Sequence, residues 1–145
     1  MLTYSVDKAD FKCQEDSRFT IEVLREEDAR EVIVHAAHAW SPEFIRERIR
    51  RRSFRGVYEG RKLVSWLGTL WEGANASEIG FAFTRKEHRG RGMMKTLTSL
   101  LTEEVLHEGK VPILHTVQEN LPAVRVVESL GYSLKAREWA YFWTP

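Results

Sequence analysis

The sequence predicts an α/β domain in which a mixed, mostly antiparallel sheet is flanked by helices. The chain has 145 residues, of which 43% are hydrophobic and 30% charged, which is ordinary for one globular domain. Short apolar runs separated by glycine turns predict antiparallel strands in the first half. A strand, a glycine turn, a long amphipathic helix and another strand follow, and this succession predicts a crossover to a parallel neighbour.

The first elements are a strand and two helices. Residues 1–18 show no hydrophobic period and are expected to be a lead-in segment. Alternating apolar residues predict a strand at 19–24, and three- and four-residue spacings predict a helix over 25–40. Ser41-Pro42-Glu43 predicts the start of a second, short helix, because serine caps helices and proline suits their first turn. The outer face of this helix is predicted to be basic, with Arg46, Arg48, Arg50, Arg51 and Arg52.

The later elements alternate strands and helices. Gly109 is expected to end the long helix and Asn120 to cap the short one that follows. The predicted order over one domain of residues 1–145 is β-α-α-β-β-β-α-β-α-β. The later elements are strands at 54–58, 63–71 and 77–84, a helix over 95–106, a strand at 111–117, a short helix after 120, and a closing aromatic strand or hairpin at 132–143.

Charge and cysteine content exclude several classes of protein. The net charge is +1, which gives no global argument for binding nucleic acid or a membrane surface. Cys13 is the only cysteine, so an intrachain disulfide framework is excluded and a reducing compartment is favoured. No apolar run approaches transmembrane length, and the N-terminus lacks the apolar core of a signal peptide. A cytoplasmic protein is therefore expected, and no metal site is predicted.

The turn 89–94, Arg-Gly-Arg-Gly-Met-Met, has the features of an anion site. Glycine lets backbone N–H groups converge, and a helix start leaves such groups unpaired beside the positive end of the dipole. The spacing fits neither a Walker loop nor a dinucleotide-binding fingerprint, so the turn alone could equally be a basic surface patch or a nucleic-acid contact. The surrounding cations are Arg85, Lys86, Arg89, Arg91 and Lys95.

The strand before this turn alternates two kinds of side chain. Ile79, Phe81 and Phe83 are predicted to form one thick apolar face. The opposite face is small, and a strand without bulk on one face lets a backbone or ligand approach closely. That small face comprises Glu78, Gly80, Ala82 and Thr84.

Together these features resemble the GCN5-related N-acetyltransferase (GNAT) superfamily, and the run T-x-x-E-x-R-G-x-G with a later asparagine is similar to its FR47-like branch. The turn matches the first four positions of the family motif [Q/R]-x-x-G-x-[G/A], whereas Met94 stands where glycine or alanine is usual. Asn120, Ala123 and Gly131-Tyr132 match the family pattern N-x-x-[AS] followed by G-[FY]. The resemblance spans residues 19–143.

The resemblance implies transfer of an acetyl group from acetyl-CoA to a primary amine of a small molecule or peptide, by direct attack in a ternary complex. Strand residues 82–84 would pair with the pantetheine arm, the turn would hold the pyrophosphate, and Asn120 would bond the cofactor near the thioester. Asn120 would alternatively be a plain helix cap. The implied cofactor-binding residues are Ala82, Phe83, Thr84, Arg89, Gly90, Arg91, Gly92, Met93, Met94, Lys95 and Asn120.

Acetyl transfer needs a base, because an amine with a pKa of about 10.4 is mostly protonated near neutral pH. Glu78 is the first candidate, directly or through water, and the alternative is a solvated carboxylate at a strand end. His115 is the rival, although its apolar neighbours also fit a core histidine, and Glu119 is a third candidate. The resemblance implies that the backbone N–H of Phe83 donates to the developing oxyanion if the strand bulges.

The general acid is where the sequence departs from the family. A tyrosine often stands seven residues after the motif asparagine, but here that position is Val127, which leaves Tyr132 and Tyr141 as substitutes. A non-catalytic acyl-CoA-binding regulator therefore remains an alternative, as does, less favoured, a nucleic-acid-binding protein. The late aromatic residues could line a pocket or form the edge of a homodimer. The groups available to the acceptor, by resemblance, are His35, His38, Trp40, Arg46, Trp139, Tyr141 and Trp143, and arginine would suit an acceptor with a carboxylate.

Overall fold

The structure is a computed structural model that describes residues 1–36 and 39–138. In these residues, strands form a single sheet and helices pack on both of its faces. The strands are β1 (Leu2–Ser5), β2 (Thr20–Val23), β3 (Phe54–Glu59), β4 (Lys62–Glu72), β5 (Ala76–Thr84), β6 (Val111–Thr116) and β7 (Ser133–Arg137). The helices are α1 (Ala29–His35), α2 (Pro42–Arg50), α3 (Met93–His107) and α4 (Leu121–Ser129).

The sheet order is β2-β3-β4-β5-β6-β1-β7. All neighbours are antiparallel except β5 and β6, which are parallel and joined through α3. The α/β class with a mixed, mostly antiparallel sheet is therefore confirmed.

The interpretation of residues 1–18 as a lead-in is wrong for their first part. Strand β1 lies between β6 and β7, so that Leu2 pairs with Thr116 on one side and with Arg137 on the other. Leu2 and Tyr4 are buried against α4. A strand of four residues is too short to show a period, and its partners lie at the opposite end of the chain.

Two predicted elements differ in length. A 3₁₀ turn at Glu26–Asp28 precedes α1, which ends at His35 rather than continuing to 40. The closing strand is described as Ser133–Arg137, and its predicted continuation through 139–143 lies outside the described residues.

Helices α1 and α2 cover one face of the sheet, and α3 covers the other. The inward stripe of α3 is Met93, Leu97, Leu101 and Val105, whereas Met94 is only partly buried. Met94 therefore lies at the side of the helix.

Helix α2 begins as predicted, because Pro42 is its first residue and the Ser41 side chain accepts a 3.1 Å hydrogen bond from the N–H of Phe44. The basic outer face needs correction at Arg48, whose side chain is buried. Its guanidinium donates to a Glu72 carboxylate oxygen at 2.7 Å and to the Thr69 carbonyl at 2.9 Å. Arg48 therefore ties α2 to β4 and is not part of a solvent-facing cationic surface.

Candidate active-site cleft

A bulge in β5 is the local feature on which the cleft depends. Gly68 of β4 pairs with Gly80, but the next pair joins Trp66 to Phe83, so β5 contains one residue more than β4 in this interval. Phe81 absorbs the difference with a φ of +60°, a left-handed conformation that a bulky residue rarely adopts.

The bulge reverses the side-chain alternation of β5. Ile79 packs into the core beneath α3, whereas Phe81 and Phe83 pack into the core beneath α1 and α2. The prediction of a single apolar face for these three residues is therefore wrong after position 80. An extra residue shifts the pleat by one, so each later side chain points to the opposite face.

A cleft of about 150 Å³ opens beyond the last pair of β5 and β6. The register between the two strands runs from Ala76–Val111 to Ile79–Leu114, although both strands continue past it. The bulge of β5 lies at the wall of this cleft. The other lining residues include Tyr4, Met94, Thr98, His115, Thr116, Asn120, Ala123 and Val127.

The turn before α3 presents a run of free backbone donors. Gly90 and Gly92 have φ values of +75° and +88°, which glycine adopts without strain. Gly92 caps α3 without a side-chain hydrogen bond. Within the described residues, no backbone N–H of 90–95 donates a hydrogen bond. These donors and the positive end of the α3 dipole form a site suited to phosphate.

Several cations around this turn are already engaged. Arg85 donates to Glu31 at 2.8 Å, and Arg91 donates to Glu59 at 2.8 Å. Arg89 donates to the carbonyl of Thr84 at 3.0 Å. The backbone, rather than a cluster of arginine side chains, therefore supplies the free donors of the anion site, which weakens the case for a nucleic-acid surface here.

Glu78 and His115, the two rival candidates for the base, form one pair. His115 Nδ1 lies 2.8 Å from Glu78 Oε1, and the two side chains are 32% and 28% exposed. His115 is thus a solvent-accessible residue of the cleft and not a core histidine. Because a carboxylate only accepts, this contact places a proton on Nδ1, and in the neutral ring it leaves a lone pair on Nε2.

The structure separates the other candidates for proton transfer. Glu119 is exposed in the turn before α4. The Tyr132 hydroxyl lies 2.6 Å from Thr102 Oγ1 in the core, and burial raises the pKa of Tyr132 well above its ordinary value. Tyr132 therefore does not replace the missing tyrosine in the cleft. The position seven residues after Asn120 is the buried Val127, which lines the cleft. Tyr141 lies outside the described residues.

Asn120 is a helix cap at the edge of the cleft. Its Oδ1 accepts a 3.3 Å hydrogen bond from the N–H of Ala123. The amide nitrogen is not needed for capping, so the cap is compatible with a contact to a ligand.

Tyr4 is a cleft residue that the sequence did not indicate. Its hydroxyl donates to Glu128 Oε1 at 3.3 Å, and burial together with the Glu128 carboxylate raises the pKa of Tyr4. The only signal that could have found it is the long-range pairing of β1, which a single sequence does not reveal.

The predicted acceptor groups do not all come together. His35 and Trp40 lie in an aromatic groove on the α1 and α2 face of β5. Arg46 lies in a separate hollow beside Glu26 and Arg50, so the predicted arginine for an acceptor carboxylate is not at this groove. The other predicted groups, His38, Trp139, Tyr141 and Trp143, lie outside the described residues.

The helices of the described residues are all too short or too polar to cross a bilayer.

Comparison with known proteins identifies related sequences and structures. Residues 55–143 match the family described as FR47-like protein. No curated protein matches the chain.

Solved structures share the fold. A GNAT-family protein from Novosphingobium aromaticivorans is 26% identical, with a TM-score of 0.75 over 92% of this chain and 59% of its own. An acetyltransferase of the GNAT family from Colwellia psychrerythraea is 18% identical, with a TM-score of 0.73 over 92% of this chain and 52% of its own. The protein yncA from Salmonella typhimurium, solved with its cofactor acetyl-CoA, is 20% identical, with a TM-score of 0.69 over 81% of each chain. The chain thus spans between half and three fifths of the length of the first two.

Proposed function

The chain belongs to the FR47-like family of the GCN5-related N-acetyltransferases, and on this premise we propose that it transfers an acetyl group from acetyl-CoA to a primary amine by direct attack in a ternary complex. The observation that carries the proposal is the run of free backbone N–H groups at residues 90–95, at the end of α3 that borders the cleft.

In this proposal the cofactor lies along the opened edge of β5. The pyrophosphate accepts hydrogen bonds from the turn 90–95, where the α3 dipole adds positive charge. The pantetheine arm pairs with the backbone of Ala82, Phe83 and Thr84 as an added strand. Asn120 contacts the cofactor near its thioester. The protein yncA, which has the same fold, was solved with acetyl-CoA, and this supports acetyl-CoA as the cofactor.

The chemistry then has two requirements that the cleft can meet. The amine must lose a proton, and the Glu78–His115 pair is the acceptor for it, directly or through water. The thioester oxygen gains negative charge, and a backbone N–H of the bulge is the proposed donor. Phe83 itself does not suit this role, because its carbonyl accepts a hydrogen bond from Ser65 Oγ and its backbone therefore faces β4. Attack occurs from the face that carries Phe81 and Phe83, with the cofactor on the other side of the bulge.

A comparison of two glycine variants tests the cofactor site. Gly90 and Gly109 have almost the same φ, +75° and +74°, and an added Cβ would contact nothing at either position. Alanine should therefore destabilise the fold to a similar extent, about 1 kcal/mol, at both. Gly109 follows the last turn of α3, at the end away from the cleft. Only Gly90→Ala should weaken CoA binding, on the order of tenfold or more, measured by isothermal titration calorimetry. Equal CoA affinity in the two variants would remove the turn from the site.

Turnover is tested by following release of free CoA thiol from acetyl-CoA with a panel of primary amines. A rate that saturates in both substrates is expected. Saturable CoA binding without turnover of any amine would instead support an acyl-CoA-binding regulator. One observation favours that second candidate. The cleft has Val127 where the family often has a tyrosine, and Tyr132 is buried against Thr102 instead of lining the cleft.

A further inference from the structure

The aromatic groove beside the bulge is a second cavity that the cofactor site does not use. Trp40 stacks on Phe44 with ring centroids 5.1 Å apart and meets Phe81 edge-on at 5.3 Å. On the other side, Phe83 lies 4.1 Å from His35 and stacks on Trp66 at 4.6 Å. These contacts define two groups of rings, one containing Trp40 and Phe81 and the other containing His35, Trp66 and Phe83. All five of these rings line the groove.

The groove and the cofactor cleft meet at one point. Both are lined by Phe81 and Ala82, the residues of the bulge. The groove lies on the face covered by α1 and α2, and the cleft reaches the face covered by α3. A molecule in the groove therefore approaches the bulge from the side opposite to the proposed cofactor. Glu78 points to the groove side, because its neighbour Ile79 points toward α3.

The size of the groove limits what it can hold. Its volume is about 180 Å³. An apolar cavity of about 150 Å³ accepts a benzene ring, so the groove suits one six-membered ring and not a large ligand.

The chemistry of the lining limits the ligand further. Among the described residues, the groove has no lysine, arginine or carboxylate in its lining. His35 Nδ1 lies 2.9 Å from the carbonyl oxygen of Glu31, which can only accept, so Nδ1 donates this hydrogen bond within α1. Aromatic faces attract both other rings and ammonium groups, whereas they offer nothing to a carboxylate.

We propose that the acceptor is a primary amine that carries an aromatic ring on a short aliphatic arm, with the ring in this groove and the amine directed to the bulge. This inference rests on the proposed function, since it names the acceptor class of the same site. Trp40 is the specificity-determining residue that the proposal adds, because its half-exposed ring forms the outer wall of the groove.

The test uses three amines that differ in one group on a two-carbon arm. 2-Phenylethylamine has a phenyl group, β-alanine has a carboxylate, and ethylamine has hydrogen. Binding of each to the CoA-saturated protein is measured by titration calorimetry, and turnover is measured separately by thiol release. 2-Phenylethylamine should bind more tightly than either of the others by on the order of tenfold or more, as burial of a ring predicts.

Two tryptophan variants locate the ring. Trp40 and Trp71 are both surface-exposed, at 42% and 55%, but Trp71 is not in the groove. Trp40→Ala should weaken 2-phenylethylamine binding about tenfold and leave ethylamine nearly unchanged, whereas Trp71→Ala should change neither.

The two readouts separate the inference from the proposed function. If 2-phenylethylamine binds preferentially and its binding depends on Trp40, but no turnover occurs, the groove is supported as an aromatic-amine site and the proposed acetyl transfer is contradicted. Turnover or binding of β-alanine or ethylamine as efficient as that of 2-phenylethylamine would overturn the aromatic acceptor. Equal loss in both tryptophan variants would also overturn it.

Discussion

Glu78 and His115 should act as one proton-accepting unit, because their side chains are joined by a 2.8 Å contact. Glu78→Gln should lower kcat on the order of 100-fold near neutral pH, and His115→Gln should cause a loss of similar size. The double variant should be little worse than either single variant, since groups that act as a unit are not additive. The measurement is kcat against pH, with CoA affinity determined in parallel and expected to be unchanged.

Glu119→Gln is the matched control for this prediction. Glu119 is a carboxylate that the sequence also offered as a base, but it is exposed in the turn before α4, whereas the partner of His115 is Glu78. Its variant should keep the full rate. Losses that multiply in the double variant, or a comparable loss in Glu119→Gln, would contradict a Glu78–His115 unit.

The sequence predicted which single residues belong to the site better than it predicted which of them contact each other. The glycines of the turn carry a local signal, because two glycines just before a helix indicate backbone conformations that other residues adopt only with strain. The contact between Glu78 and His115 carries no such signal. It follows from the parallel register of β5 and β6, which places Glu78 opposite Ile113, two residues before His115.

Strand β1 determines one wall of the cleft, and this can be tested through Tyr4. Its ring is buried and lines the cleft, and its hydroxyl bonds Glu128. Tyr4→Ala should lower the free energy of unfolding by about 3 kcal/mol, because a large buried ring is lost, whereas Tyr4→Phe should cost only about 1 kcal/mol for the hydrogen bond.

Urea denaturation measures these differences, with Thr3→Ala as the control on the same strand. Thr3 pairs with the same two strands but is only partly buried, so its variant should stay within about 1 kcal/mol of the parent. A loss in Thr3→Ala as large as that in Tyr4→Ala would mean that strand pairing, and not burial of the ring, is what β1 contributes.

Elements with strong local signals were predictable, and those defined by distant partners were not. The Ser-Pro start of α2 and the glycine end of α3 were found because capping is local. The bulge of β5 was missed because the sequence shows continuous alternation, while the extra residue exists only relative to β4. The same limitation hid Arg48, which resembles the other arginines of α2 but meets Glu72 across the fold.

The fold of the whole molecule brings the cleft and the aromatic groove together at the bulge of β5. The sheet is continuous from β2 to β7, yet the separation of β5 from β6 opens it where the bulge turns Phe81 away from α3. In the proposed mechanism, cofactor and acceptor then approach from opposite faces without competing for space. The aromatic character of the groove is a product of the bulge, because without it Phe81 and Phe83 would lie beneath α3 together with Ile79.

Buried tyrosines between elements make the stability of the whole molecule sensitive to alkali. The Tyr58 hydroxyl donates to Asp28 Oδ2 at 2.6 Å, which ties β3 to the start of α1, and the Tyr132 hydroxyl contacts Thr102 of α3. Burial raises the pKa of both tyrosines well above the ordinary value of about 10. Above pH 10 the unfolded chain therefore releases these protons while the folded chain keeps them.

The sign of the effect follows from this difference in bound protons. Stability should be constant with respect to these two groups below about pH 9 and should fall above pH 10, by up to about 1.4 kcal/mol per pH unit for each tyrosine. Tyr58→Phe should lower stability near neutral pH, because a hydrogen bond is lost, and should also flatten the alkaline slope by removing one titrating group. Urea midpoints between pH 8 and 11.5 measure both effects. Parallel curves for the variant and the parent would show that Tyr58 ionises equally in the folded and unfolded states, and the alkaline loss would then have to come from other groups.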